Sequence, residues 1–216
     1  MGIESLLIIV GVIFVSMTLH EVMHGLIAYW LGDDTAKAQG RLTLNPIKHI
    51  DPFLTILLPL LLAVSGGPIF GGAKPVPFNP TRLRYDEWGV ALVAISGPIT
   101  NLVIAFISFG LATLMGDSVA NADGSLSILG TVLLLCAQVN LGFFAFNMLP
   151  LPPLDGSRVL YALAPDFVRR GMGEVERFGI IVVFLIVMLA NSLIITYMTW
   201  AISFFFNLFG TIFGLG

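Results

Sequence analysis

The sequence is poor in charged residues and contains a single cysteine. Charged residues make up 11% of its 216 residues, 57% are hydrophobic, and the mean hydropathy is +0.97. A soluble domain needs more polar surface than this, so the composition indicates an integral membrane protein. The net charge of -3 and the lack of a basic run argue against nucleic-acid binding. Because Cys136 is alone, an intrachain disulfide and a thiolate zinc cage are excluded.

The sequence also lacks a recognisable signal peptide, an internal repeat and a low-complexity tract. Its first apolar run, residues 6–31, has no basic stretch before it and is too long for the apolar part of a signal peptide. We therefore expect residues 1–216 to form a single membrane domain.

Long apolar runs predict the membrane helices. Residues 6–31, 88–115 and 126–148 are long enough to cross a hydrocarbon core of about 30 Å. Residues 178–213 suffice for one helix or for two, with a break around Asn191 and Ser192. The expected fold class is an all-α polytopic membrane protein with about five to six membrane helices.

The positive charges predict the orientation. All ten Lys and Arg residues follow runs 6–31, 53–64 and 126–148, whereas the loop 116–125 carries only Asp117 and Asp123. Basic loops stay in the cytoplasm, so the N-terminus and the acidic loop are predicted to lie outside. The run 53–64 is short, and the basic loops before and after it must lie on the same side of the membrane. We therefore expect this segment to be re-entrant.

One apolar run carries charged groups at helical spacing. His20, Glu21 and His24 are the only His, Asp, Glu, Lys or Arg residues within 6–31. Residues four apart share a helix face, so both imidazoles can bind one metal ion, and Glu21 is placed to take a proton from a metal-bound water. The motif also occurs by chance, but such groups in mid-membrane are costly and mark a functional site.

A hydrolytic zinc site needs a third protein ligand. Asp155 stands out, because three prolines prevent a regular helix before it and Gly156 allows a turn. We favour Asp155 as a ligand over an ordinary Asp-Gly turn, because a zinc site beside His20 and His24 demands a third ligand. Irregular backbone near a membrane survives only when it is buried in protein or lines a wet cavity. His49 is expected to be a loop or interface residue.

The chain resembles the site-2 protease family of intramembrane metallopeptidases. The resemblance implies that His20, His24 and Asp155 bind Zn²⁺, that Glu21 is the general base, and that Asn147 lies in the active site. It also implies cleavage of transmembrane segments of membrane protein substrates. Many relatives carry PDZ or CBS domains, and we expect a compact member without them. The matching segments, in the order of the family, are residues 20–24, 44–46 with 49–52, 72–77, 96–101 and 147–156.

Three polar or small residues have roles that the sequence leaves open. Asn147 either binds a substrate carbonyl or oxyanion, or caps a helix. Asn101 lies four residues after Gly97, a spacing that favours close packing against the catalytic helix. Cys136 is expected to be a small core or lipid-facing residue.

Residues 35–44 alternate between polar and apolar side chains, which is the period of a strand. We therefore predict a short β element after the first helix, and hypothesise that an unwound substrate pairs with its edge; the alternative is a surface hairpin. Glycines at 66–67 and 71–72 flank the re-entrant segment and either hinge a gate or form turns. Water is expected to reach the site from the cytoplasm.

The leading function is an intramembrane zinc endopeptidase in a prokaryotic cell (inner) membrane, with its active site toward the cytoplasm. Its expected partners are transmembrane protein substrates and membrane lipids, and its oligomeric state is open. A metal-ion transporter is an alternative, although the middle of runs 88–115 and 126–148 has no acidic or histidine residue. An inactive adaptor is another, although Glu21 and both histidines are present. No Gly-x-Ser-x-Gly motif supports a serine protease.

Overall fold

A computed structural model describes residues 3–57, 60, 71–116 and 126–215, and in these residues helices dominate. Short 3₁₀ turns at Pro46–His49 and Pro80–Arg82 and a π-helical turn at Pro52–Leu57 lie in the connections. The α-helices are α1 (Ile3–Trp30), α2 (Thr35–Ala38), α3 (Asp86–Met115), α4 (Ile128–Asn147), α5 (Asp155–Leu163), α6 (Asp166–Leu189) and α7 (Asn191–Ile212).

Four of the described helices, α1, α3, α4 and α7, are long and apolar enough to cross a membrane. The protein is therefore an integral membrane protein, and runs 6–31, 88–115 and 126–148 correspond to the first three of these helices. The predicted break at Asn191 is confirmed, because α6 ends at Leu189 and α7 begins at Asn191. The estimate of five to six spans is not reached within the described residues. The first half of α6 carries six charged residues before a kink at Gly179 (φ 44°), which leaves too few apolar residues to span.

Helix α3 holds the bundle together by packing against α1, α4 and α5. Ala105 of α3, Leu141 of α4 and Phe209 of α7 form one buried apolar cluster. Ala28 of α1 and Val93 of α3 join Leu83 in another. The small residues among these let the helices approach closely, which is how helices associate in a lipid environment that offers little hydrophobic driving force. The α1–α3 contact lies beside the two histidines.

The strand predicted from the alternation in residues 35–44 is wrong, because Thr35–Ala38 forms α2 and residues 41–44 have no regular secondary structure. The local hydrogen bonds explain the difference. Oδ1 of Asp33 accepts from the backbone N–H of Thr35 (3.1 Å) and from its Oγ1 (2.5 Å), which turns the chain into the helix. No strand edge exists in this described segment, so the hypothesis of substrate pairing there loses its basis.

The predicted re-entrant segment is only partly described. Residues 52–57 form the π-helical turn, and Gly72 is tied to it, since its N–H donates to the carbonyl of Leu54 (3.0 Å) and its carbonyl accepts from Oγ1 of Thr55 (2.6 Å). The glycines at 66–67, and residues 58–59 and 61–64 of run 53–64, lie outside the described residues. The acidic residues Asp117 and Asp123 lie outside them as well.

Candidate metal centre and active site

Three side chains from two separate helices bring their ligand atoms together. Nε2 of His20 lies 3.0 Å from Nε2 of His24, and Oδ2 of Asp155 lies 3.2 Å and 3.5 Å from these two nitrogens. Zinc bonds of about 2.0–2.2 Å in tetrahedral geometry place neighbouring ligand atoms roughly 3.3 Å apart. The three distances therefore match a zinc site with one position left for water or substrate.

The hydrogen bonds of the two histidines fit a cation between these atoms. Nδ1 of His20 lies 2.6 Å from Oδ1 of Asn101, and Nδ1 of His24 lies 2.7 Å from the carbonyl oxygen of Val93. Both oxygens accept, so each Nδ1 donates, and in a neutral ring each Nε2 then presents a lone pair. Oδ2 of Asp155 is buried and has no hydrogen-bond donor among the described residues. Three acceptors facing one another repel unless a positive ion lies between them.

Helix α1 supplies both histidines on one face, with their rings edge to face at 4.6 Å. Close approach of α3 requires Gly97, because a Cβ there would lie 2.5 Å from Nε2 of His24 and 2.6 Å from Cε1 of His20. Asp155 opens α5, and Gly156 fixes this start against the end of α4. A Cβ on Gly156 would lie 2.4 Å from the carbonyl oxygen of Met148. Two glycines thus let separate helices meet at the site.

Glu21 faces the same cavity as the ligands and is anchored from outside its own helix. Its Oε2 accepts the backbone N–H of Val76 at 2.8 Å, and its side chain is not one of the converging ligands. The segment around Val76 is itself held, because the carbonyl of Lys74 accepts from Arg41 (2.8 Å) and its N–H donates to the carbonyl of His49 (2.8 Å). Residues 72–77 therefore position the carboxylate.

His49 lies apart from the converging ligand atoms. Its ring nitrogen Nε2 lies 2.9 Å from the carbonyl oxygen of Thr43 and donates to it. Within the described residues, the group of metal-ligating side chains consists of His20, His24 and Asp155. The loop role expected for His49 agrees with these contacts.

A cavity of about 670 Å³ opens beside the three ligands and Glu21. Its wall is mainly apolar, with Met17, Phe143 and Val183 among the lining residues. Asn147 also lines it, while its Nδ2 donates to the carbonyl of Phe143 at 3.0 Å on its own helix. The amide thus makes a helix-end hydrogen bond and borders the cavity, so its catalytic role stays a prediction.

Asn101 contacts His20, a role that was not predicted from the sequence. Its spacing from Gly97 predicted helix packing, and Asn101 is indeed fully buried between helices. Its side chain also accepts the Nδ1–H of His20, so it holds the ring as well as packing. The signal in the sequence was the four-residue step that puts Gly97 and Asn101 on one face of α3, the face that meets the histidines.

Several known proteins are similar to most of the chain, among them the following two. A protein of Bacillus subtilis is 46% identical over 171 residues, which cover 79% of this chain and 75% of the relative. A protein of Mycolicibacterium smegmatis is 31% identical over 192 residues, which cover 88% and 70%. The first is named "Putative zinc metalloprotease YwhC" and the second "Putative zinc metalloprotease Rip2". The chain belongs to the site-2 protease family of zinc metalloproteases.

For a metalloprotease of this family, Zn²⁺ is the cofactor, and the three converging acceptors fit it in number, type and spacing. Protease names among the relatives stand against the metal-transporter alternative. No family model and no solved structure matches the chain.

Proposed function

We propose that this metalloprotease is an intramembrane endopeptidase that hydrolyses peptide bonds in or near transmembrane segments of membrane proteins. The observation that carries the proposal is the place of its metal ligands within a membrane-crossing helix. His24 lies six residues before Trp30, the end of α1, which is about 9 Å of helix. A site at that depth is reached more easily by a substrate segment in the membrane than by a soluble protein.

The cavity supports the same class of substrate. Its apolar wall suits apolar side chains, and the few polar groups converge at the ligands, Glu21 and Asn147. A substrate helix must unwind locally before its carbonyl can reach the site, because its own hydrogen bonds otherwise occupy the backbone. Transmembrane protein substrates and the surrounding lipids are the partners that follow.

Glu21 and Asn147 take the chemical roles in this proposal. Bound zinc supplies a Lewis acid that lowers the pKa of water and polarises a carbonyl. Glu21, held by the Val76 N–H, accepts the proton of the attacking water and delivers it to the leaving amine. The amide of Asn147 at the cavity wall donates to the substrate oxygen on which negative charge develops.

We further propose that the site faces the cytoplasm of a prokaryotic cell membrane. The loop after α1 carries Lys37, Arg41 and Lys48, and basic loops remain cytoplasmic. His24 is close to that end of α1, so cytoplasmic water has the shorter path. Single cysteines at Lys48 and at Ile3, in a Cys136→Ala background, should label from the cytoplasmic and the outer side respectively. The reverse pattern would contradict the orientation.

Glu21→Gln tests the function, with Glu174→Gln as a matched control at an exposed ion pair. The purified variant should keep its zinc and lose cleavage of a bilayer-embedded transmembrane substrate, whereas Glu174→Gln should keep both. The same peptide sequence placed in a soluble linker should be cut poorly by the unmutated protein. Preferential cutting of the soluble form would argue for a protease of soluble substrates. Full turnover by Glu21→Gln would show that Glu21 is not the general base.

A further inference from the structure

We propose that Asn140, on α4, is a positioning residue that sets the ring orientation and proton position of the zinc ligand His20 by way of Asn101. Asn140 does not touch the ligand. It acts through a buried line of side-chain hydrogen bonds that joins α4 to α3 and α3 to α1. The proposal concerns zinc binding alone and does not depend on where in the membrane the protein cleaves.

The line of hydrogen bonds is short and shielded from water. Nδ2 of Asn101 donates to Oδ1 of Asn140 at 2.8 Å. Nδ2 of Asn140 donates at 2.8 Å both to Oγ of Ser16 and to the carbonyl oxygen of Cys136. Asn101 and Asn140 are 0% exposed and Ser16 is 1% exposed. Buried amides keep their partners because an unpaired polar group costs free energy, so these orientations persist.

The carbonyl of Cys136 determines which atom donates and which accepts in each hydrogen bond of the line, and so gives the line its direction. A backbone carbonyl can only accept, so it turns Nδ2 of Asn140 toward itself and Oδ1 toward Asn101. That oxygen also only accepts, so Asn101 must present its Nδ2 to it and its Oδ1 to His20. Nδ1 of His20 therefore carries the proton, and Nε2 keeps the lone pair that a metal requires.

A flipped Asn101 would have the opposite effect. Its NH₂ group would face Nδ1 of His20, which would favour the ring with its proton on Nε2, the atom that must bind zinc. His24 needs no such arrangement, because its Nδ1 donates directly to the carbonyl of Val93, and a backbone carbonyl cannot flip. His20 is thus the ligand whose geometry depends on the contact of three helices.

Zinc affinity of the purified full chain, measured by competition with a chelator and without substrate, tests the proposal. Asn140→Leu keeps the size of the side chain and removes its hydrogen bonds, and zinc binding should weaken roughly tenfold, as when other partners of metal-bound histidines are lost. Ser16→Ala leaves the Cys136 carbonyl in place and should weaken binding much less. Thr18→Val is the control, because within the described part of the chain the Thr18 hydroxyl bonds only to the Phe14 carbonyl (2.7 Å) on the same helix. It should leave zinc affinity unchanged.

A second substitution separates orientation from packing. In an Asn101→Asp background both oxygens at position 101 accept, so the group needs no orienting partner. Asn140→Leu should then cost little further zinc affinity. An equal loss in both backgrounds, or a loss in Thr18→Val as large as that in Asn140→Leu, would mean that Asn140 acts only through helix packing and would overturn the proposal.

Asn140→Asp covers the case in which Asn140→Leu does not fold. A neutral carboxylic acid at this position can donate to the Cys136 carbonyl and accept from Asn101, which preserves the direction of the line. Folded Asn140→Asp should bind zinc, and its cobalt-substituted form should give the absorption spectrum of the unmutated protein. A tenfold or greater loss of zinc affinity in this variant would refute the proposal that Asn140 orients His20 through this line of hydrogen bonds.

Discussion

A Cβ atom on Gly97 would lie 2.5 Å from Nε2 of His24, closer than any real side chain tolerates. The distance shows that α3 approaches α1 as far as a residue without a side chain permits. The neighbouring side chain is His24, one of the three candidate zinc ligands, and its other ring nitrogen donates to the carbonyl of Val93, so it has little freedom to move. Helix packing and metal geometry are therefore set by the same contact.

Gly97→Ala should for this reason lower zinc affinity at least tenfold, with overpacking costing about 1–3 kcal/mol of stability. Zinc content and thermal unfolding of the purified protein measure the two effects. Gly11→Ala is the control. Gly11 lies on α1, the helix of His24, and a Cβ there would have no atom within 4 Å. Normal zinc binding by Gly97→Ala would show that the helices can separate without disturbing the ligands.

Removal of zinc should destabilise the protein, because it leaves three acceptor atoms facing one another. A ligand that binds only the folded state adds about 2.7 kcal/mol of stability at one hundred times its Kd, so a chelator should lower the Tm measurably. Asp155→Asn should abolish this response, since it removes the charge of one ligand. Asp166→Asn, at the exposed first residue of another helix, should retain it. If the chelator leaves the Tm of the unmutated protein unchanged, zinc does not contribute to its stability.

The parts of the candidate site that could be predicted from the sequence are those fixed by local spacing or by zinc stoichiometry. His20 and His24 are four residues apart, so any helix through them makes a pair. Asp155 followed from the need for a third ligand at an irregular, proline-rich segment. The hydrogen bonds that join Asn101, Asn140 and Ser16 could not be predicted, because they depend on the rotation of three helices about their axes. A single sequence does not specify that rotation.

Local hydrogen bonding and backbone geometry account for the errors in the fold. The alternation in residues 35–44 has the period of a strand, but the side chain of Asp33 accepts hydrogen bonds from the N–H and the hydroxyl of Thr35, where a helix begins instead. The estimate of five to six spans allowed run 178–213 to cross the membrane either once or twice. Gly179, which has a positive φ, kinks α6, and among the described residues of this run α7 alone has the length and composition to cross.

Asp33 should make the stability of the protein depend on acid pH. Burial opposes ionisation of its carboxyl, but hydrogen bonds from Thr35 and from the N–H of Asn79 (2.6 Å), together with the charge of Arg82, hold the pKa of Asp33 below its ordinary value of 3.8. The folded state then binds the proton less readily than the unfolded state. The contribution is complete above pH 3.8 and is lost as the pH falls through the lower pKa of the folded state.

Asp33→Asn should therefore lower the free energy of unfolding near neutral pH, by about 2 kcal/mol for a charge-assisted hydrogen bond. The difference between the variant and the unmutated protein should shrink as the pH falls below 3.8. Asp34→Asn is the control, because its exposed ion pair with Arg82 contributes little. Denaturant unfolding at several pH values measures both variants, and a pH-independent difference for Asp33→Asn would contradict the assignment.

Asn147 should affect the chemical step without affecting zinc. Its amide borders the cavity that holds the ligands and Glu21, and loss of a comparable oxyanion donor costs about 10²–10³ in kcat. Asn147→Ala should lower kcat by that order on a transmembrane substrate, with KM and zinc content nearly unchanged. The competing role is the helix-end hydrogen bond to the carbonyl of Phe143, whose loss would appear as a lower Tm at normal kcat. Asn147→Asp removes both hydrogen bonds, because an ionised carboxylate donates neither to an oxyanion nor to the carbonyl of Phe143. A fully active Asn147→Asp would therefore contradict the oxyanion role.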